Sequence, residues 1–167
     1  MPDSPLSLGQ FTRDLWGSFD PLAIAQLAPL ARLGYKPKYY KAPDVANSVF
    51  AANSYLDFGL EITPGSWIWG FCLPADPVTL QPAQFNLQIT DNSRKHKFWD
   101  EPVPSFFIGN YQATMLDVAK AQISCFPNLL NAPYPVEGEG LFSVEIWETS
   151  GFQQRIEVVL ACLEAPK

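Results

Sequence analysis

A single histidine, His96, stands in the run Arg94-Lys95-His96-Lys97. A Ser-His-Asp or Cys-His nucleophilic device needs an imidazole as its base, so only His96 is available for one. Its setting among three cations places it instead in a solvated hairpin connection. Cys72, Cys125 and Cys162 are odd in number and widely spaced. That spacing fits neither a disulfide framework nor a zinc site, and the three are read as buried, reduced thiols. Paired carboxylates can divide the acid and base roles of glycoside hydrolysis. The close pairs here, Asp100–Glu101 and Glu137–Glu139, lie beside Pro or Gly in loop-like segments and read as solvated charge. Glu145, Glu148 and Glu157 alternate with apolar residues and are expected on the outer face of a hairpin. There is no HExxH, CxxC or EF-hand spacing and no glycine-rich phosphate loop. The expectation is a chain with no catalytic residues, no cofactor and no metal.

The aromatic residues carry a different chemistry. Trp67 and Trp69 alternate with Phe71 and Leu73, which predicts one shared, buried strand face. Trp147 falls on the other face of its strand, with Ser143 and Glu145. An indole exposed there can stack on the CH face of a sugar, so Trp147 is a candidate glycan platform. Residues 31–41, ARLGYKPKYYK, interleave four basic side chains with Tyr35, Tyr39 and Tyr40. Such a pattern can stack on single-stranded nucleic acid. The acidic chain works against that, and the segment is read as a protein contact.

The wider composition limits what these residues can serve. The chain has 167 residues, 11 basic against 17 acidic side chains, and a net charge of −6. Nucleic-acid binding is disfavoured, because phosphate neutralisation needs clustered Lys and Arg. No apolar run approaches the roughly 18 residues of a membrane span. The first ten residues, MPDSPLSLGQ, lack a basic segment followed by an apolar one, so no secretory signal is expected. Charged residues are 17%, against about 25% in a typical domain. With 16 prolines and 14% aromatics, the composition points to a β-rich chain with much extended backbone.

Charge divides the sequence near residue 55. Residues 1–55 carry a net +1 and residues 56–167 a net −7, from which we read an N-terminal arm and a second, folded domain. In the arm, Asp20 caps, Pro21 suits a first helical position and Gly34 ends the stretch, with Pro29 splitting it. Leu22, Ile24, Leu27 and Leu30 make this stretch apolar on too many faces for an isolated helix. Together with Tyr35, Tyr39 and Tyr40 they are the expected interface residues. In the second part, Leu56, Phe58, Leu60 and Ile62 alternate with polar residues or Gly, as in a half-buried strand. Residues 66–74 are apolar on both faces, as in a central strand. Phe85, Leu87 and Ile89 alternate, as do Phe142, Val144 and Ile146, and Ile156, Val158, Leu160 and Cys162. The last two strands are expected to pair as an antiparallel hairpin. Residues 117–123 suit one or two helical turns, and residues 131–140 suit an exposed loop. The expected fold is all-β: an antiparallel, jelly-roll-like sandwich of about seven or eight strands with an extended N-terminal arm containing short helical pieces.

The order ITPGSWIWGF, FNLQITD with KFWDEPVPS, LLNAPYPV, and GLFSVEIWETSG with IEVVLACLEAP resembles the small β-sandwich virion proteins of tailed bacteriophages. The resemblance spans about residues 55–167 and lies in strands and turns, with no catalytic motif. It implies a non-enzymatic virion protein, of capsid cement or decoration type, or a tail, connector or baseplate component. The implied partners are the major capsid protein and further copies of the chain, with a trimer favoured. A carbohydrate-binding module using Trp147 is the alternative drawn from the residues themselves.

Overall fold

A computed structural model describes residues 29–43, 47–73, 83–108 and 128–166. Leu22, Ile24, Leu27 and Cys125, and the helical turns expected at 117–123, lie outside the described residues.

Eleven strands are described: β1 (Lys36–Ala42), β2 (Val49–Phe50), β3 (Tyr55–Glu61), β4 (Trp67–Cys72), β5 (Phe85–Asp91), β6 (His96–Lys97), β7 (Val103–Pro104), β8 (Asn128–Pro135), β9 (Leu141–Glu148), β10 (Gln154–Arg155) and β11 (Val158–Glu164). They form a first sheet in the order β1-β11-β4-β8 and a second in the order β3-β9-β5-β6, with β7 also on β5. A two-stranded β10-β2 pair stands beside them. Every pairing is antiparallel. Along the chain the long strands switch sheets: β1, β4, β8 and β11 belong to the first, and β3, β5 and β9 to the second. This is jelly-roll connectivity, in which loops cross between two packed sheets at both ends.

The core lies between the sheets. Phe85, Leu87 and Ile89 of β5 and Phe142, Val144 and Ile146 of β9 face Ile68 and Phe71 of β4 and Val158, Leu160 and Cys162 of β11. Alternation along each strand puts these side chains inward because successive Cβ atoms point to opposite faces. Cys72 and Cys162 are both buried.

The folded domain begins earlier than charge suggests. Residues 36–42 are not arm but the edge strand β1, in register with β11 from Lys36↔Glu164 to Ala42↔Val158. Their cations are answered within the chain: Lys38 meets Glu164 at 2.5 Å and Lys41 meets Glu157 at 2.8 Å. The charge step near residue 55 therefore reflects cross-strand pairing within one sheet. Before β1, residues 29–32 form a helical turn that stops as expected at Gly34, with φ at +84°. Gly34 N–H donates to Ala31 O and Tyr35 N–H to Leu30 O, the two reverse bonds of a Schellman cap.

Three further expectations are corrected. β9 and β11 do not form a hairpin, since β9 lies between β3 and β5 while β11 lies between β1 and β4 in the other sheet. Residues 131–135, expected in a loop, belong to β8. Trp67 and Trp69 do not share a face with Phe71 and Leu73. Gly70 pairs with Ala161 and Ile68 with Cys162, so Trp69 is the extra residue of a β-bulge. The bulge resets the alternation: Phe71 and Leu73 enter the core. Trp67 and Trp69 turn to the opposite face of the first sheet, against Ala31, Leu30, Tyr35 and Leu163.

Candidate functional site

The outer face of the second sheet carries the most ligand-like arrangement. β3, β9 and β5 pair so that Tyr55, Trp147 and Asn86 form one cross-strand row, Asp57, Glu145 and Gln88 the next, and Gly59, Ser143 and Thr90 a third. Tyr55 and Trp147 have ring centroids 5.0 Å apart at 33°, with Tyr55 48% exposed and Trp147 half-buried. The Tyr55 hydroxyl donates to Glu145 at 2.9 Å. This bond, then partial desolvation, pushes the phenol above its ordinary pKa. Ser143 Oγ donates to Asp57. Asp57 and Glu145 face each other in register, and like charges in that position repel. The two hydroxyl donors offset part of that repulsion. The result is a tilted aromatic pair beside fixed carboxylate acceptors.

A second surface lies at the end of the sandwich where β3 and β5 start and β9 ends. Ser105 opens a short helix, Ser105–Ile108, and ties it down: its hydroxyl donates to Ala83 O at 2.8 Å and accepts from Phe85 N–H at 3.2 Å. Gln154 bridges to Gln84 O at 2.6 Å. These bonds bring the segments around 84, 106 and 152 to one end. There Phe106, Phe107 and Phe152 are 66%, 73% and 75% exposed, and the first two rings lie 4.4 Å apart.

Glu148 organises that end. Its buried carboxylate accepts from Asn53 N–H at 2.6 Å, Ser150 N–H at 2.5 Å, the Ser150 hydroxyl, Gly151 N–H at 3.3 Å and Gln154 Nε2 at 2.8 Å. Burial alone would push its pKa up. The hydrogen bonds from Ser150, Asn53 and Gly151 together outweigh it and hold the carboxyl below its ordinary value. Glu148 was expected on an exposed hairpin face beside Glu145. It is buried because it follows Phe142, Val144 and Ile146 on the inward face of β9, and the chain folding back at 150–151 closes over it.

The opposite end is polar. His96 is exposed on β6, its ring stacked on Tyr134 at 5.4 Å and 12°. Buried Asp91 holds the turn there, accepting from Ser93 N–H, Arg94 N–H and the Tyr134 hydroxyl. Burial, followed by the bond to Asp91, pushes Tyr134 up to about 12. His96 thus packs on a structural tyrosine at the surface of a hairpin.

The sequence-derived interface residues separate. Leu30 and Tyr35 pack under Trp69. Tyr40 is half-buried, and its hydroxyl bonds Thr63 Oγ1 at 2.9 Å and Glu164 at 3.2 Å, locking β1 to β11. Tyr39 remains 49% exposed on the edge strand. Phe106, Phe107, Phe152 and Tyr55 carried no periodic signal and were missed; their exposure depends on where the loops settle. Among the described residues no group of three or more His, Cys, Asp or Glu side chains could hold a metal ion. No helix among them is long and apolar enough to cross a membrane. No family model, curated protein or solved structure matches this chain.

Proposed function

We propose that this protein is a non-enzymatic structural component of a tailed-bacteriophage virion, of capsid cement or decoration type. Its partners in this reading are the major capsid protein and further copies of itself, with a trimer as the expected assembly. A tail, connector or baseplate position uses the same chemistry. The supporting observation is the exposed ring pair Phe106–Phe107, with exposed Phe152 at the same end, on a two-sheet frame whose loops are tied there by Glu148 and Ser105. Large aromatic side chains dominate interface energies, and a pre-ordered frame lowers the entropy lost on docking.

The test compares gradient-purified virions carrying the full chain with virions from cells making the triple variant Phe106→Ser, Phe107→Ser, Phe152→Ser. Quantitative mass spectrometry should find the natural chain at fixed stoichiometry and the variant reduced at least about tenfold. Because the three side chains are solvent-exposed, the variant should melt as the natural protein does. Absence of the natural chain from particles rejects the reading.

The Tyr55–Trp147 pair favours a second reading, a carbohydrate-binding face. Glycan-array binding that falls about tenfold in Trp147→Ala is its expected result, one stacking contact being worth on the order of 1.4 kcal/mol. No glycan bound by the natural protein counts against it.

A further inference from the structure

Among the described residues the sandwich has four sheet edges, and three are blunted. β1 carries Lys36, Lys38, Lys41 and Pro37. β8 carries Pro133 and Pro135, and its pairing with β4 shifts register between Ile68 and Gly70. On the far side of β5 stand only two-residue strands, β6 with Lys97 and β7 with Pro104. Lysine, proline, irregular pairing and shortness are the usual devices against strand addition. β3 has none of them. It runs YLDFGLE in unbroken register with β9 from Tyr55↔Trp147 to Glu61↔Leu141.

Its free groups can be assigned. Ile62 N–H donates to Gly140 O and Glu148 N–H to Ser54 O, one bond beyond each end of the β3–β9 ladder. Antiparallel bonding alternates, so Leu56, Phe58 and Leu60 bond to β9. Tyr55, Asp57, Gly59 and Glu61 therefore point their N–H and C=O groups outward. Leu56 stays 39% exposed, and Phe58 and Leu60 are only half-buried, although all three belong to the inward-facing set. Another strand laid along β3 would cover them.

We infer that β3 is a self-pairing edge, joining two copies of this chain antiparallel about a two-fold axis at Phe58. In that register Tyr55 faces the partner's Glu61, Asp57 faces the partner's Gly59, Leu56 faces the partner's Leu60, and the two Phe58 side chains meet. All four outward-pointing residues then pair, and both acids face an uncharged residue. A shift of two residues one way sets Asp57 against the partner's Asp57. The same shift the other way sets Asp57 against the partner's Glu61. Like charges directly opposite destabilise a sheet, so the pairing selects its own register. Gly59 provides room for the partner's Asp57, since a Cβ built there meets nothing within 4 Å. The contact is isologous and independent of the virion reading; it would join two monomers or two larger rings alike.

The test is sedimentation velocity of the full chain over a concentration series, with two variants at one position. Gly59→Asp sets a carboxylate against the partner's Asp57 twice per interface and should weaken the association about tenfold. Gly59→Lys sets a cation there and should tighten it several-fold. A Cβ at position 59 meets nothing within 4 Å, so both variants should fold, and melting measured on each separates effects on folding from effects on assembly. Hydrogen exchange supplies the second readout: the Asp57 and Gly59 amides should gain protection with concentration, while Phe58 and Leu60, bonded to β9, stay protected throughout. A protein monomeric across the series overturns the inference. So does an association that responds equally to both variants, or one in which the Asp57 and Gly59 amides exchange freely, because it would then use another surface or register.

Discussion

Replacing Gly140 by alanine should destabilise the fold by about 3 kcal/mol or more. Gly140 sits at φ +69° immediately before β9. A Cβ there would lie 1.9 Å from the carbonyl oxygen of Ile62, a backbone atom that cannot rotate away. The same carbonyl belongs to the residue whose N–H donates to Gly140 O at 2.8 Å. Relieving the clash separates the two chains where β3 leaves β9 and loosens the buried Ile62 and Val136 beneath them. The left-handed backbone adds its own cost for any residue with a Cβ. Gly59→Ala is the control. It lies in the paired strand, has open space around it and should be neutral or stabilising by up to about 0.5–1 kcal/mol, since strands disfavour glycine. Urea unfolding of the two variants should therefore move in opposite directions or differ by several kcal/mol. Equal stabilities would mean that the close approach of Gly140 to Ile62 does not exist in solution.

Glu148→Ala should cost about 3 kcal/mol, because it leaves the amides of Asn53, Ser150 and Gly151 and the Gln154 side chain short of an acceptor at one end of the sandwich. Glu148→Gln should be nearly as damaging. Its amide group would present hydrogens to donors that need an acceptor, and no single orientation satisfies both sides of the site. The carboxyl titrates below its ordinary value in the folded protein. At pH values between the folded and unfolded pKa the unfolded chain binds more protons, so stability rises with pH there. The contribution is complete above the unfolded value near 4.5 and disappears as pH falls through the folded one. Glu164, held low chiefly by its hydrogen bond from Lys38, acts in the same window. The difference between natural protein and Glu148→Gln isolates the Glu148 share: it should be largest at neutral pH and shrink as the solution is acidified below about 4.5. A difference that stays constant from neutral to strongly acidic pH would mean that the carboxylate is not what binds the loops.

The two predictions concern places with opposite legibility. Gly140 stands in the run Val136-Glu137-Gly138-Glu139-Gly140, where a turn is evident from composition alone. Which of its glycines meets another strand's backbone is not evident, because Ile62 is remote in sequence. Glu148 was misplaced for a related reason. Two residues beyond Ile146, it lies on the inward face of β9 with Phe142 and Val144, and the loop at 150–151 closes over it. The period through Phe142, Val144 and Ile146 already assigns it that face; what no period shows is the set of donors from residues 53, 150, 151 and 154 that lets a carboxylate stay there.

The same limit explains the tryptophans. A two-residue period through Trp67, Trp69, Phe71 and Leu73 assumes an unbroken strand. A bulge is set by pairing with β11, where Ala161 takes Gly70 and the next residue takes Ile68. Nothing local to residues 66–74 marks it except Gly70, and glycine in a strand permits a bulge without requiring one.

Where most strands run, which of their residues enter the core, that Gly34 ends a helical turn, and that the fold is an antiparallel sandwich are all legible in the residue order. These follow from Cβ alternation and from glycine's backbone freedom, which are properties of a few consecutive residues. Only the packing of the whole chain settles that β9 and β11 belong to different sheets and that Lys36–Ala42 is an edge strand whose Lys38 and Lys41 are answered by Glu164 and Glu157. It also settles that Phe106, Phe107 and Phe152 share one end, and that β3, alone among the described sheet edges, carries no lysine, proline or register shift. Each of these depends on which distant segment lies alongside. That choice comes from packing all the strands at once, a sum over long-range contacts that no short window of sequence contains.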